Sequence, residues 1–196
     1  MTRSHVAPAS PLMVRLAHVS ALSPVLSSLW RLPLIFGVSM GLGPVITDDL
    51  ASTPFAGRAA YLIGLGVLTD GLAFLAIGLV RPWGEVFPTW MPVVGGRAVP
   101  LGFAGTAALL GGLGACAFGL TMAVGMPANV DAWDGWSILM YACYAPLALW
   151  GPTLLIVAAD YIRRRRAAGR HTSIHPPAAP ITARRERARP RRARLG

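Results

Sequence analysis

AYLIGLGVLTDGLAFLAIGLV, running from Ala60 to Val80, decides the fold. Its only charged residue is Asp70. A helix of this length rises about 30 Å, the thickness of a bilayer's hydrocarbon core. A backbone in lipid must satisfy its own hydrogen bonds, which an α-helix does. Three further stretches share this character: Leu29–Ile46, Leu101–Gly125 and Trp136–Ala158. The sequence therefore predicts an all-α polytopic membrane protein with four transmembrane helices, occupying residues 25–162. Residues 1–24 form an N-terminal cytoplasmic segment, and residues 163–196 a disordered Arg/Pro-rich cytoplasmic tail.

Composition agrees. Of 196 residues, 54% are hydrophobic and 13% charged, about half the charged share of a soluble domain. Lysine is absent, which excludes a Walker phosphate loop and Schiff-base chemistry. Two cysteines exclude a disulfide-rich secreted scaffold. Residues 163–196 carry 12 arginines and one acid, a charge of +11, whereas residues 1–162 sum to −1. Basic segments stay on the cytoplasmic side. The tail is therefore cytoplasmic, and with four spans so is the N-terminus. The loops agree: Arg81–Pro100 holds two arginines, whereas Met126–Gly135 holds none and two acids. This predicts a multi-pass protein of the inner (plasma) membrane. Trp30, Trp83, Trp90, Trp133 and Trp136 fall near span ends and read as interfacial anchors, and Arg31 as a snorkelling residue at the start of the first span. The first 24 residues lack the clean apolar core of a secretory signal. They read either as a surface helix with Leu12, Leu16, Val19 and Leu22 on one face or as a disordered leader.

Motifs of apparent chemistry dissolve in this setting. Gly37-Val38-Ser39-Met40-Gly41 fits a nucleophile elbow but falls in a predicted span, and all four histidines are expected outside the spans. Gly112 to Ala117 fits a dinucleotide fingerprint but follows no strand. Gly37/Gly41, Ala60/Gly64 and Ala107, Gly111, Ala115, Gly119 recur every four residues. They pack either this bundle or a homo-oligomer. Cys116 and Cys143 lie at similar depth and are expected as free thiols. His171 and His175 sit in a tail unsuited to a metal, so no metal and no cofactor is expected.

Asp70 is the candidate functional residue within the membrane, because a midspan carboxylate is costly. It either relays a proton or binds a cation, or it is a carboxyl tied to a neighbouring helix. Ser39, Thr69, Thr121, Tyr141 and Tyr144 are the candidate partners, ahead of Arg31. The inner loop presents Arg81, Trp83, Glu85, Trp90 and Arg97 as a surface, with Glu85 expected to pair with Arg81 or Arg97. Its four prolines forbid a long helix. Arg163, Arg164, Arg165 and Arg166 are expected against the headgroups of the anionic inner leaflet, with Asp160 pairing to Arg163 or Arg164. The tail offers no base readout, so nucleic acid is not an expected partner.

The inner loop, Arg81-Pro82-Trp83-Gly84-Glu85 through Pro88, Trp90, Pro92 and Gly95-Gly96-Arg97 to Val99-Pro100, resembles that of a set of small actinobacterial four-span membrane proteins. So does the fourth span, Cys143-Tyr144-Ala145-Pro146 with Leu149-Trp150-Gly151-Pro152, leading to Tyr161 and the arginine run. Members of this set often carry an acid near Asp70. They are uncharacterised, so the resemblance implies a membrane protein and no activity. The leading functional expectation is a non-enzymatic accessory or scaffold component. It acts with membrane lipids and either a membrane protein partner or a second copy. A small transporter or proton-coupled carrier using Asp70 is the alternative, and a membrane-embedded enzyme acting on a lipid or isoprenoid the third.

Overall fold

The computed structural model describes residues 7–40, 42–87, 89, 92, 95–125 and 134–174. Helix α1 (Pro11–Leu22) starts where Ser10 accepts the Met13 N–H at 3.4 Å and Pro11 takes the first helical position. The chain bends at Ser23-Pro24 into α2 (Val25–Arg31) and a 3-10 turn at Pro33–Phe36. Gly37, at a φ of +81°, stops it in the left-handed region that a side chain would strain. Pro44 then opens the short α3 (Pro44–Ser52).

The first membrane-length segment is therefore Pro11–Phe36, not Leu29–Ile46. The reason is local. The glycines and proline that look mild in a hydropathy window end one helix and begin another. Two expectations change with it. Residues 11–22 are not a surface helix or leader, because α1 packs against α4 and α7. His18 lies inside the first segment, with Nδ1 2.7 Å from the Val14 carbonyl.

The second and third segments are α4 (Phe55–Gly78) and α5 (Leu101–Gly125). The fourth begins at Asp134, whose carboxylate accepts the Ser137 N–H at 2.8 Å. It comprises α6 (Gly135–Tyr144) and α7 (Leu147–Ile174), joined by a bend at Ala145-Pro146. Helix α7 continues through Arg163–Arg166 to Ile174, which corrects the expectation that disorder begins at Arg163. The rest of the expected tail lies outside the described residues.

Among the described residues the fold is all-helical, with four segments long and apolar enough to span a membrane. They alternate in direction. At one end Phe36 meets Phe55, ring centroids 6.1 Å apart, and Trp30 meets Trp136 at 6.3 Å. At the other, Arg164 donates to the carbonyls of Ala7 and Leu79, and Arg165 to that of Val99. The N-terminal segment, the 79–100 loop and the arginine run thus share one end.

Helix association in lipid rests on close backbone approach and hydrogen bonds. Helix α1 turns Ala17, Ser20 and Ala21 inward, and Ser20 Oγ donates to the Trp150 carbonyl on α7 at 3.4 Å. Helix α5 meets α7 along Gly105, Gly112, Ala115 and Gly119. This stripe is rotated from the expected one. Ala115 and Gly119 are common to both, but Ala107 and Gly111 line a cavity instead. A side chain at Gly64 would touch nothing. Large apolar side chains point out all along α4 and α5, among them Val67, Leu68, Leu72, Leu75, Leu110, Leu113 and Leu120. A soluble monomer rarely exposes so continuous an apolar surface.

Candidate functional site

Arg31 is the residue that sequence reasoning placed wrongly. With the first segment beginning at Pro11, it lies near the far end, and its side chain is buried rather than snorkelling. Its Nε donates to the Tyr144 hydroxyl at 3.2 Å, and its Nη2 lies 3.5 Å from Ser27 Oγ. The guanidinium also stacks over the Tyr144 ring, 5.6 Å from the centroid. Nη1 is buried and has no acceptor among the described residues. No carboxylate there comes within 4.0 Å of its nitrogens. Arginine keeps its charge in proteins, so this is a buried cation with no counter-ion among the described residues. Such groups cost several kcal/mol unless fully bonded.

Asp70 lies one turn from this point. It is half-buried and accepts from Ser28 Oγ at 3.1 Å. Ser28 is none of the partners expected, because the expected first span began one residue too late to include it. Close approach at Gly66, where a Cβ would sit 3.6 Å from Ser28, brings the two helices together. Thr69 turns back to the Leu65 carbonyl of its own helix. Tyr141 donates to the Ala123 carbonyl at 3.1 Å.

Two cavities meet at Arg31. One, of about 790 Å³, lies toward the α3 end and is mixed in character, with Asp49, Arg58 and Thr121 on its walls. The other, of about 640 Å³, lies between α4 and α5 and is almost wholly apolar. Arg31, Leu65 and Phe118 line both and form the partition. Beside them the first and fourth segments bend at matching heights. Ser20 faces Trp150, and Trp30 packs on Met140, so the antiparallel register sets Pro24 opposite Pro146. Trp30 is therefore a core residue, only 5% exposed, and not an interfacial anchor. Trp83 and Trp136 are exposed, while Trp90 and Trp133 lie outside the described residues.

The basic end is built differently. Trp83 stacks on Phe74 at 5.7 Å, over Gly78. Gly84 lies on the Gly78 backbone, where any Cβ would overlap it. Phe87 and Arg97 pair across a short hairpin through a 2.9 Å bond, with Gly96 at a φ of +75° in its turn. Asp160 accepts from both Arg163 and Arg164, at 2.8 and 2.7 Å. Glu85 lies 3.9 Å from Arg165, correcting its expected pairing with Arg81 or Arg97. The arginine run thus divides. Arg164 and Arg165 turn onto loop carbonyls, and Arg163 and Arg166 stay exposed with Arg81 and Arg97.

At the opposite end Arg58 repeats the device, donating to the carbonyls of Ile35 and Leu50. Asp134 is held below the ordinary aspartate value of 3.8 by hydrogen bonds from the Ser137 N–H and hydroxyl. Cys116 and Cys143 are free thiols. Gly112 to Ala117 lies within α5, and Gly112 packs on Leu155. Ser39 lies outside the helices, in the turn after Gly37. Among the described residues no three His, Cys, Asp or Glu side chains gather as a metal site would need. No family model, no curated protein and no solved structure matches the chain.

Proposed function

We propose that the protein is a non-enzymatic accessory or scaffold component of the plasma membrane, with both termini cytoplasmic. One observation carries the reading: Arg164 and Arg165 tie the N-terminal segment, the 79–100 loop and α7 together at one end. Exposed Arg81, Arg97, Arg163, Arg166 and Arg170 surround that end. Arginine bias assigns it to the cytoplasm, against anionic headgroups worth about 1 kcal/mol per near-surface arginine. Exposed Asp48, Asp49 and Asp134 at the other end support an external placement there. A basic, preorganised platform suits capture of a membrane protein partner or of a second copy. The likeness of loop and fourth span to small actinobacterial membrane proteins supports the membrane setting.

Pull-down from mild detergent tests this, with wild type beside R163Q/R166Q and beside D70N. A defined partner recovered by wild type and D70N, and lost with R163Q/R166Q, is the expected result. Recovery of the protein alone from every sample sinks the accessory reading.

A small carrier is the second reading. The bends at Pro24 and Pro146, facing each other beside Arg31 and Asp70, favour it, since carriers place their sites at interrupted helices. Flux into liposomes that stops with D70N would move this reading ahead.

A further inference from the structure

We infer that Arg31 and the two cavities it separates form a binding site for an anionic single-chain amphiphile. The headgroup lies at Arg31, and the chain lies in the apolar cavity between α4 and α5. This stands apart from the accessory reading and does not depend on it.

Two buried donors face this region unsatisfied. Arg31 Nη1 and Trp150 Nε1 are both buried, and neither has an acceptor among the described residues. Arg31 is 6% exposed and Trp150 7%. Buried N–H groups are nearly always paired, and each exception needs an explanation. Both residues line the same apolar cavity. One donor is a fixed cation, so the complementary acceptor is an anion. Asp70 does not supply it within 4.0 Å.

The walls then choose among anions. The α4–α5 cavity has about 640 Å³, within the usual range for small-molecule sites. Leu72, Leu75, Phe103 and Leu154 line it, and Arg31 is the only charged residue on its walls among the described residues. A free inorganic anion would lose its hydration there against hydrocarbon. An alkyl chain would lose none. Leu72, Leu75 and Phe103 are also more than half exposed on the outer surface of the bundle, so the cavity opens sideways to where lipid chains lie. Helix α4 packs on α1 and α5 on α7, and this leaves the gap between α4 and α5 as the entrance.

The second cavity completes the match. It is the wetter of the two and shares the Arg31, Leu65 and Phe118 partition. A headgroup at Arg31 can therefore keep part of its hydration on one side while its chain occupies the other. Tyr144 holds the guanidinium at this boundary through Nε and its ring face, while Nη1 makes no bond among the described residues.

The test uses the full chain in phosphatidylcholine nanodiscs, with bromine-labelled chains that quench tryptophan. The probes are hexadecyl phosphate, hexadecyl maltoside and inorganic phosphate. Hexadecyl phosphate should quench saturably and bind about tenfold or more tightly than the maltoside, the expected effect of one charge-assisted bond. Inorganic phosphate should not compete. R31Q should bring hexadecyl phosphate down to the maltoside's affinity, and L75W, which fills the cavity, should weaken both. Equal affinity for the two amphiphiles overturns the inference, and so does unchanged binding in R31Q. Competition by inorganic phosphate at the same concentration as hexadecyl phosphate overturns the amphiphile assignment in favour of a free-anion site. If R31Q does not fold, the headgroup comparison on wild type and L75W decides.

Discussion

The first segment, Pro11–Phe36, and the two lipid-facing helices α4 and α5 obey opposite rules. The first has the lowest mean hydropathy of the four, 1.4, yet half of its apolar window is buried. Helices α4 and α5 reach 1.9 and 1.8 but bury only 22% and 17%. In water the most apolar helix goes inside. In lipid, hydrocarbon outside is as good a neighbour as hydrocarbon inside, so apolarity gives no reason to bury. What draws a helix inward is smallness and hydrogen-bonding capacity. On the first segment Ala17 and Ala21 are small, and Ser20 and Ser27 are both small and able to hydrogen-bond, whereas Val67, Leu68, Leu110 and Leu113 are neither.

Bulk on an inward glycine should have the largest effect. The backbone of α5 at Cys116 lies directly against Gly151, so G151V should cost 3 kcal/mol or more, at about the upper end for overpacking. Loss of monodisperse protein in detergent would report it. G64V, facing open space, should stay within about 0.5 kcal/mol. Equal damage from both would mean that α4 has a partner on its outer face.

Arg31 sharpens the comparison in the opposite direction. A buried cation with no counter-ion among the described residues is an element that stability alone would discard. An apolar residue of similar size removes the desolvation cost of the charge, several kcal/mol per buried ion. R31M should therefore raise the thermal midpoint while abolishing the preference for anionic amphiphiles. A fall in the midpoint would show that the Tyr144 contact is a structural tie.

D70N should change stability by about 1 kcal/mol or less, since an amide oxygen can still accept from Ser28. A loss several times larger would mean that the carboxylate charge itself is used inside the bundle.

The smallest effect belongs to Asp134, fully exposed at the head of α6. Its carboxyl lies below 3.8 in the folded protein because Ser137 donates to its charged form. Its contribution is therefore complete above that value and disappears as pH falls through the lowered one. D134A should remove this part of the acid sensitivity while leaving the midpoint near neutral pH only slightly reduced. An unchanged acid limb would show that the cap adds nothing.

The last three of the four long segments were legible in the sequence because each is a mainly apolar run, although the bend at Ala145-Pro146 in the fourth was not. The first was misplaced, since hydropathy averages over the Gly37 stop and the Pro44 start that divide two helices. That slip moved Arg31 from the core to a boundary and left Ser28 out of the membrane. The Asp70–Ser28 bond and the Arg31–Tyr144 pair were hidden as a result. Their partners lie 42 and 113 residues apart, beyond the reach of any local pattern. The arginine run was legible as charge. Its division into two clamping and two exposed residues follows from helical phase against a loop that folds separately.

The sequence by itself determined the all-helical class, the approximate places of α4, α5 and the fourth segment, and the concentration of basic charge at the C-terminal side. These follow from length, apolarity and composition, which act locally along the chain. Tertiary structure decided which helices are central, which glycines touch a neighbour, where Arg31 is buried and that two cavities meet there. Those are properties of helix pairs. In a bilayer no solvent-exclusion force ranks the pairs in advance, so only the fit of small residues and the meeting of distant polar groups selects among them.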